Sequence, residues 1–192
     1  CESAMLPRPQ AVCCRNCRRF FGVTISGNTI SVPRHKLVQI EENTAQNNPS
    51  GIFDRISGGR LVFGIGVGGE FPNEFAAAGV PVRERGSRLD ESVEVMRKLW
   101  TGEAITHQGR HFQMSNLQML PTPARANGPP IWCGGRSEAA LKRAGARLEG
   151  WVSYVVTPTM YAQSLKTIEK HYALANRNLD SFGTAHLVYM RL

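Results

Sequence analysis

From residue 61 onward, short apolar runs alternate with amphipathic stretches, and this alternation restricts the folds open to the chain more than any other feature. "LVFGIGV" (61–67), "PPIWCGG", "WVSYVV" and "TAHLVYM" (184–190) read as buried strands, each of the first three followed by a helical pattern. Strand and helix taking turns in this order require a parallel sheet with right-handed crossovers and helices packed outside it. Two architectures satisfy that requirement, an open doubly wound sheet and a (β/α) barrel.

The helices announce themselves by spacing and by their ends. In "ERGSRLDESVEVMRKLW" the residues Leu89, Val93, Met96 and Trp100 recur at helical intervals, with Ser87 and Asp90 spaced as a capping box. Ser137 opens "SEAALKRAGARL", which places Ala140, Leu141, Ala144 and Leu148 on one side. Thr157 and Pro158 form an N-cap and first helical residue for a helix carrying Tyr161, Leu165, Ile168, Tyr172 and Ala175. Between Trp100 and Pro129 the rhythm breaks: "AITHQGRHFQM" reads as a hairpin turning at Gln108 and Gly109, followed by the Pro-rich "LPTPARANGPP". An excursion of that size is expected to be a loop at the active end of the fold. His107 and His111 lie on it, read either as pocket-lining or as solvated surface histidines. Trp132 and Trp151 are expected to pack between sheet and helices.

Before residue 61 the signal is weaker. "VTISGNTISV" reads as one strand, and "EENTAQNNPSG" as exposed loop. Residues 1–20 are expected to be a disordered arm and 21–192 a single domain.

The totals bound the function classes. A chain of 192 residues, 42% apolar and 20% charged, has a globular composition with room for one core. The formal charge of +8 suggests a nucleic-acid partner, yet Arg8, Arg15, Arg18 and Arg19 against Glu2 put +3 of it into the first twenty residues. The rest mixes signs without a basic face, so no nucleic-acid partner is expected. No apolar run reaches the roughly 20 residues that span a bilayer, and the start lacks the apolar middle of a signal peptide. A cytoplasmic location without membrane attachment is the expectation. Five cysteines without an export signal point to reduced thiols. Cys14 and Cys17 form a single C-x-x-C with no second ligand pair, so no metal is expected.

Two glycine clusters raise the chemical question. Gly64, Gly66 and Gly69 satisfy G-x-G-x-x-G, but the acidic residues about 20 positions on, Asp90 and Glu91, fall inside an amphipathic helix instead of ending a strand, which argues against a dinucleotide turn. Two readings stay open: bare backbone at the carboxyl end of a barrel strand, with Glu70 and Asn73 facing a flat ligand, or glycines that serve packing alone. The second cluster, "WCGGRSEAA", runs off a strand into Gly134, Gly135, Arg136 and then Ser137 at a helix start. Free N–H groups, a helix dipole, a hydroxyl and a guanidinium together suit a phosphate. Here too a plainer reading exists, with Ser137 only capping its helix.

The succession "FDRISGGRLVFGIGVGG", "AAGVPVRERGSRLDESVEVMRKLW", "GRHFQ", "LPTPARANGPPIWCGGRSEAALKRAG" and "TPTMYAQSLKTIEKHYALANRNLDSF" resembles the luciferase-like monooxygenase family of flavin- and deazaflavin-dependent oxidoreductases. The resemblance covers roughly residues 53–190 and extends more weakly to "VTISGNTISVPRH" as the family's third strand. It implies a TIM (β/α)8 barrel of the luciferase-like type, incomplete, with about strands 3 to 7 present; five strands cannot close eight. Residues 1–20 match nothing in the family.

The resemblance further implies coenzyme F420 or FMN as cofactor, its phosphate on Gly134, Gly135, Arg136 and Ser137. Its ring system would face Val67 and Gly68, with Glu70 and Asn73 on the following loop, over a backbone bulge near Gly27 and Asn28, with His35 at the rim. Glu70, Asn73 and His35 are the implied catalytic residues. The implied reaction is hydride transfer involving a small organic substrate, or monooxygenation by reduced flavin. The rival expectation is a catalytically inactive truncated remnant that self-associates. The missing strands imply a homo-oligomer, or barrel segments supplied by another chain.

Overall fold

The computed structural model describes residues 24–26, 29–32, 36–39, 48–68, 72–178 and 181–187. The expected arm at 1–20, together with Gly27, Asn28, His35 and Glu70, lies outside the described residues.

The N-terminal part departs from the single strand read in the sequence. Strands β1 (Thr24–Ser26), β2 (Thr29–Val32) and β3 (Lys36–Gln39) form an antiparallel sheet in the order β1-β2-β3, with Ser26 opposite Thr29 and Val32 opposite Lys36. "VTISGNTISV" is therefore not a parallel third barrel strand but two strands joined through Gly27 and Asn28, a pair whose residue types favour a hairpin connection.

"EENTAQNNPSG" is not an exposed loop throughout either. Asn48 is buried and caps helix α1 (Pro49–Ile56), its Oδ1 accepting the Gly51 N–H at 3.0 Å and the Ser50 hydroxyl at 2.7 Å. Asn followed by Pro at the first helical position is a helix start as well as a turn signal. The Pro-rich segment straps α1 down: Asn48 Nδ2 donates to the Pro121 carbonyl at 3.0 Å, and the fully buried Asp54 carboxylate accepts the N–H groups of Ala124 and Arg125 at 3.0 and 3.2 Å.

The main sheet holds β4 (Phe63–Ile65), β7 (Ile131–Gly134), β8 (Gly150–Tyr154) and β9 (Gly183–Leu187), all parallel, in the order β4-β7-β8-β9. Helices α2 (Pro72–Ala77), α3 (Arg85–Leu99), α4 (Glu138–Arg147) and α5 (Pro158–Leu174) complete the crossovers. The described residues thus supply four consecutive parallel strands of an incomplete α/β barrel.

Alternation along these strands sorts the side chains. Phe63, Ile65, Ile131, Cys133 and Trp151 point to the helices and pack with Leu89, Val93, Trp100, Leu141, Ala144, Leu148 and Ile168. Burial of a side chain such as Phe63 or Ile131 contributes about 1.5–3 kcal/mol. Phe63 meets Trp100 edge to face, 5.6 Å between centroids. Glu149, just before β8, ties the amino ends together, accepting the Ile131 N–H at 2.9 Å and pairing with Arg97 at 2.7 Å.

The helix ends follow the sequence signals in two cases of three. Ser137 caps α4 and Thr157 caps α5, with Pro158 in its first turn. The capping box expected from Ser87 and Asp90 does not form, because α3 begins at Arg85, upstream of both, after a short 3-10 turn. Asp90 instead binds Arg143 of α4, with Arg143 Nε donating at 2.6 Å.

Helices α4 and α5 cross at Gly145, where a Cβ would come within 2.5 Å of the Ile168 carbonyl oxygen and 3.0 Å of His171 Cβ. Gly145→Val should therefore lower stability by about 1–3 kcal/mol, read as a shift of the urea midpoint, since overpacking pries apart a close contact. An unchanged midpoint would mean that the helices do not meet there. Burial pushes the Cys133 thiol up to about 12. In a variant with the other four cysteines changed to serine, Cys133 should resist iodoacetamide at pH 8 until the chain is unfolded.

Candidate functional site

Because β4 and β7 are parallel neighbours, the segments that leave them emerge at the same rim. Ile65 lies opposite Cys133, so Gly66 and Gly134 follow side by side. The two glycine-rich corners of the sequence, 66–68 and 134–137, are thereby brought together at the carboxyl ends of the strands, where open and closed parallel α/β sheets place their ligands.

Glycine has a different reason at each position. A Cβ at Gly66 would have no neighbour within 4 Å, and one at Gly134 none nearer than the Val152 carbonyl oxygen at 4.0 Å. Among the described residues, packing does not demand glycine at either place. Gly135, at φ +124°, is different, because a Cβ there would lie 2.8 Å from Ala140 Cβ. Its carbonyl accepts the Trp151 indole N–H at 2.7 Å, which fixes the corner to the core.

Beyond it, Ser137 Oγ accepts the Ala140 N–H at 3.3 Å. The cap role read in the sequence is realised, and the hydroxyl hydrogen remains available to donate. Arg136 is exposed; its Nη1 donates to the Val155 carbonyl at 3.3 Å, and its guanidinium carbon sits 5.8 Å from the Tyr154 ring centroid. Val155 itself has φ +50°, rare for a β-branched residue, directly after β8 on the same rim.

Of the other expected residues, Val67 packs its side chain against the core and so offers the rim its backbone, while Gly68 is exposed at φ +91°. Asn73 is exposed at the second position of α2.

Trp151 lies between sheet and helices, 0% exposed, as expected. Trp132 does not. It falls between Ile131 and Cys133, which point to the helices, so its indole occupies the opposite, inner face of the sheet, half-buried.

The excursion between α3 and β7 is not at the active rim. A connection from a helix to the next parallel strand leaves and returns at the amino ends of the sheet, opposite the glycine corners. Its strands β5 (Ile105–Gln108) and β6 (Gln113–Leu117) form the expected hairpin, with the turn closed by the Gly109 N–H donating to the Phe112 carbonyl.

Neither histidine of this hairpin is a solvated surface group. The Glu91 carboxylate of α3 accepts from His107 Nε2 at 3.1 Å, from the His111 N–H at 3.0 Å and from the Phe112 N–H at 2.9 Å. A carboxylate only accepts, so His107 Nε2 carries the proton in this contact. His111 Nε2 lies 2.8 Å from Ser87 Oγ. Sequence spacing could not foresee this docking, because Glu91 and Phe112 meet only through the tertiary fold. Asp90 and Glu91, the acidic pair a dinucleotide turn would have used, thus serve helix-to-helix and hairpin-to-helix contacts.

Parallel strands with helical crossovers and two glycine corners on one carboxyl rim are the arrangement of part of a TIM barrel. Residues 50–190 match the luciferase-like monooxygenase family, and the chain belongs to that family.

Uncharacterized proteins of Mycobacterium tuberculosis and Mycobacterium bovis are 35% identical over 103 residues, covering 54% of this chain and 34% of theirs. The chain spans about a third of the length of these relatives. Among solved structures, it is similar to the coenzyme F420 dependent tetrahydromethanopterin reductase of Methanopyrus kandleri, at TM-score 0.62 and 23% identity over 74% of this chain and 44% of that one. It is also similar to the oxygenating constituent of 3,6-diketocamphane monooxygenase of Pseudomonas putida, solved with FMN, at TM-score 0.59 and 20% identity over 71% of this chain and 41% of that one.

Burial alone would raise the Glu91 carboxyl, but the bonds from Phe112, His107 and His111 outweigh it and hold its pKa below the ordinary 4.5. The folded group is more acidic than the unfolded one, so its contribution is fully present above about pH 4.5 and is lost as pH falls through the lowered value. Glu91→Ala should cost about 1–3 kcal/mol at pH 7 by leaving buried donors unpaired, and the gap to the unaltered chain should narrow below pH 4. Urea titrations at both pH values test this, and a gap that does not change with pH would refute the ionic role.

Proposed function

We propose that this chain carries the cofactor-holding part of a flavin- or deazaflavin-dependent oxidoreductase acting on a small organic substrate. The observation that carries this reading is the adjacency of two backbone-only corners, Gly66 and Gly134, on the carboxyl rim of a parallel sheet, with a cation and a helix start beside one of them. The relatives of known structure include an F420-dependent reductase and a monooxygenase holding FMN, and both cofactors share a flat tricycle with a phosphorylated tail.

The residues fit such a group in three respects. Among the described residues nothing stands close over Gly66 or Gly134, which suits a planar ring laid against main chain. The start of α4 supplies N–H groups and the positive end of a helix dipole for a phosphate. Arg136 and the Ser137 hydroxyl stand next to each other at that helix start, a cation and a donor suited to the same anion.

When bound, a flavin or deazaflavin supplies two-electron redox chemistry, the flavin oxygen chemistry as well. What these residues do is narrower. Gly135, held by Trp151, keeps the corner rigid; Gly66 and Gly134 let the ring lie close to backbone; Arg136 and Ser137 pin the tail so that the ring is oriented before a substrate arrives. Asn73, exposed at the start of α2, is proposed to meet the polar edge of ring or substrate, together with Glu70 and His35 as the catalytic residues of the family pattern. Hydride transfer and monooxygenation both remain within this proposal.

The double variant Arg136→Ala with Ser137→Ala should weaken FMN by about 10- to 100-fold, the worth of one or two charge-assisted bonds, and leave riboflavin within about twofold. Isothermal titration of both ligands measures this. Equal losses for the two, or none for FMN, would refute the anion role.

A further inference from the structure

We infer that Tyr154 is a positioning residue of the anion corner: its ring holds the Arg136 guanidinium beside the start of α4, so that the cation is in place before a phosphorylated ligand arrives. The inference rests on the proposed flavin or deazaflavin site and names the residue that sets its cation.

The register carries the first step. Gly134 lies opposite Val152 on the neighbouring parallel strand, so Arg136 and Tyr154, each two residues further along, come out side by side at the carboxyl rim. Alternation carries the second. Trp151 packs among the helix-facing residues, and Ser153 meets His186, whose ring meets Tyr161 of α5, so both point to the helices. Tyr154 follows Ser153 as the last residue of β8 and stands on the inner face, half-buried, opposite Leu187 of β9.

Arg136 Cζ lies over the Tyr154 ring, 5.8 Å from its centroid, and Nη1 donates to the carbonyl of the next residue, Val155, at 3.3 Å. An aromatic face attracts a cation through its quadrupole, and the planar guanidinium is well suited to it. The carbonyl bond restrains the rotation of that plane. Two consecutive residues at one strand end therefore hold a side chain that is otherwise rich in rotamers. Val155 offers its carbonyl from φ +50° with its side chain 63% exposed, so burial does not offset that conformation. Strained backbone persists where surrounding contacts hold it, and the bond to Arg136 is such a contact. Ordering Arg136 in advance lowers the cost of binding an anion, because its freedom is lost on folding and not on binding. Ser137, directly after it, caps α4, so the held cation and the helix start form one corner.

The test grades the ring face without changing the ring's shape. The probes are FMN and riboflavin, with F420 and its unphosphorylated ribityl deazaflavin as a second pair, titrated calorimetrically on the full chain. Tyr154→Phe should bind the phosphorylated ligand within about twofold of the unaltered protein. Mono-, di- and trifluorinated phenylalanine at the same position should weaken it stepwise, to about three- to fivefold, as fluorine drains the ring face. The unphosphorylated partner should bind equally across the series, and with Arg136→Ala in place fluorination should no longer matter. If the fluorinated chains do not fold, the unaltered protein without ligand still decides. Its Arg136 side-chain protons should be shifted upfield by the ring current of Tyr154, and a shift absent there would overturn the inference. Phosphorylated-ligand affinity that is flat or rising along the series, or falling equally for the unphosphorylated partner or with Arg136→Ala, would overturn this inference alone. Failure of the unaltered protein to bind either FMN or F420 would overturn the proposed function and this inference together.

Discussion

Everything at the rim depends on the register of four parallel strands. Pairing Ile65 with Cys133, Cys133 with Trp151 and Trp132 with Gly150 sends every large apolar residue of β4 and β7 except Trp132 toward the helices. Because side chains alternate, the same pairing puts Gly64, Gly66, Gly134, Gly150 and Gly183 on the inner face, beside Trp132, Val152, Tyr154, Ala185 and Leu187. A slip of one residue in β4 or β7 would put Phe63 or Cys133 inside and turn glycine to the helices, so burial of the core and the glycine-rich inner face are one constraint seen from two sides. That constraint also aligns the strand ends, and so sets the glycine corners beside each other.

The charged side chains divide accordingly. Asp54, Asp90, Glu91 and Glu149 are engaged in structural contacts: with the strap over α1, with α4, with the hairpin, and with the amino end of β7. All four anions are neutralised by backbone N–H groups, by arginine or by histidine, away from the glycine corners. Arg136 stands at the carboxyl rim itself. Its guanidinium stands beside the start of α4, whose first turn also carries Glu138, so the helix end and a cation lie together there without making the rim positive as a whole.

The hairpin illustrates how an unusual segment can mislead. Its length and its two histidines suggested a loop over the site, but the topology routes every helix-to-strand connection to the amino side of the sheet. The histidines are held by Glu91, Ser87 and α3. Likewise α1 was hidden in "NNPSG" because asparagine, proline, serine and glycine serve turns and helix starts alike. Only the burial of Asn48 and Asp54 under the Pro-rich strap distinguishes the two.

The strands β4, β7, β8 and β9, the helices α3 to α5 and the caps at Ser137 and Thr157 were legible directly, since period, cap chemistry and turn residues act over a few positions. The family was legible from motif order for the same reason. Which face each residue shows, that Trp132 looks inward while Trp151 looks outward, that Glu91 clasps a hairpin twenty residues away, and that Gly66 stands beside Gly134 across two strands, depended on tertiary structure. Those facts come from strand pairing and helix packing between residues far apart in the chain, where local preference carries no information.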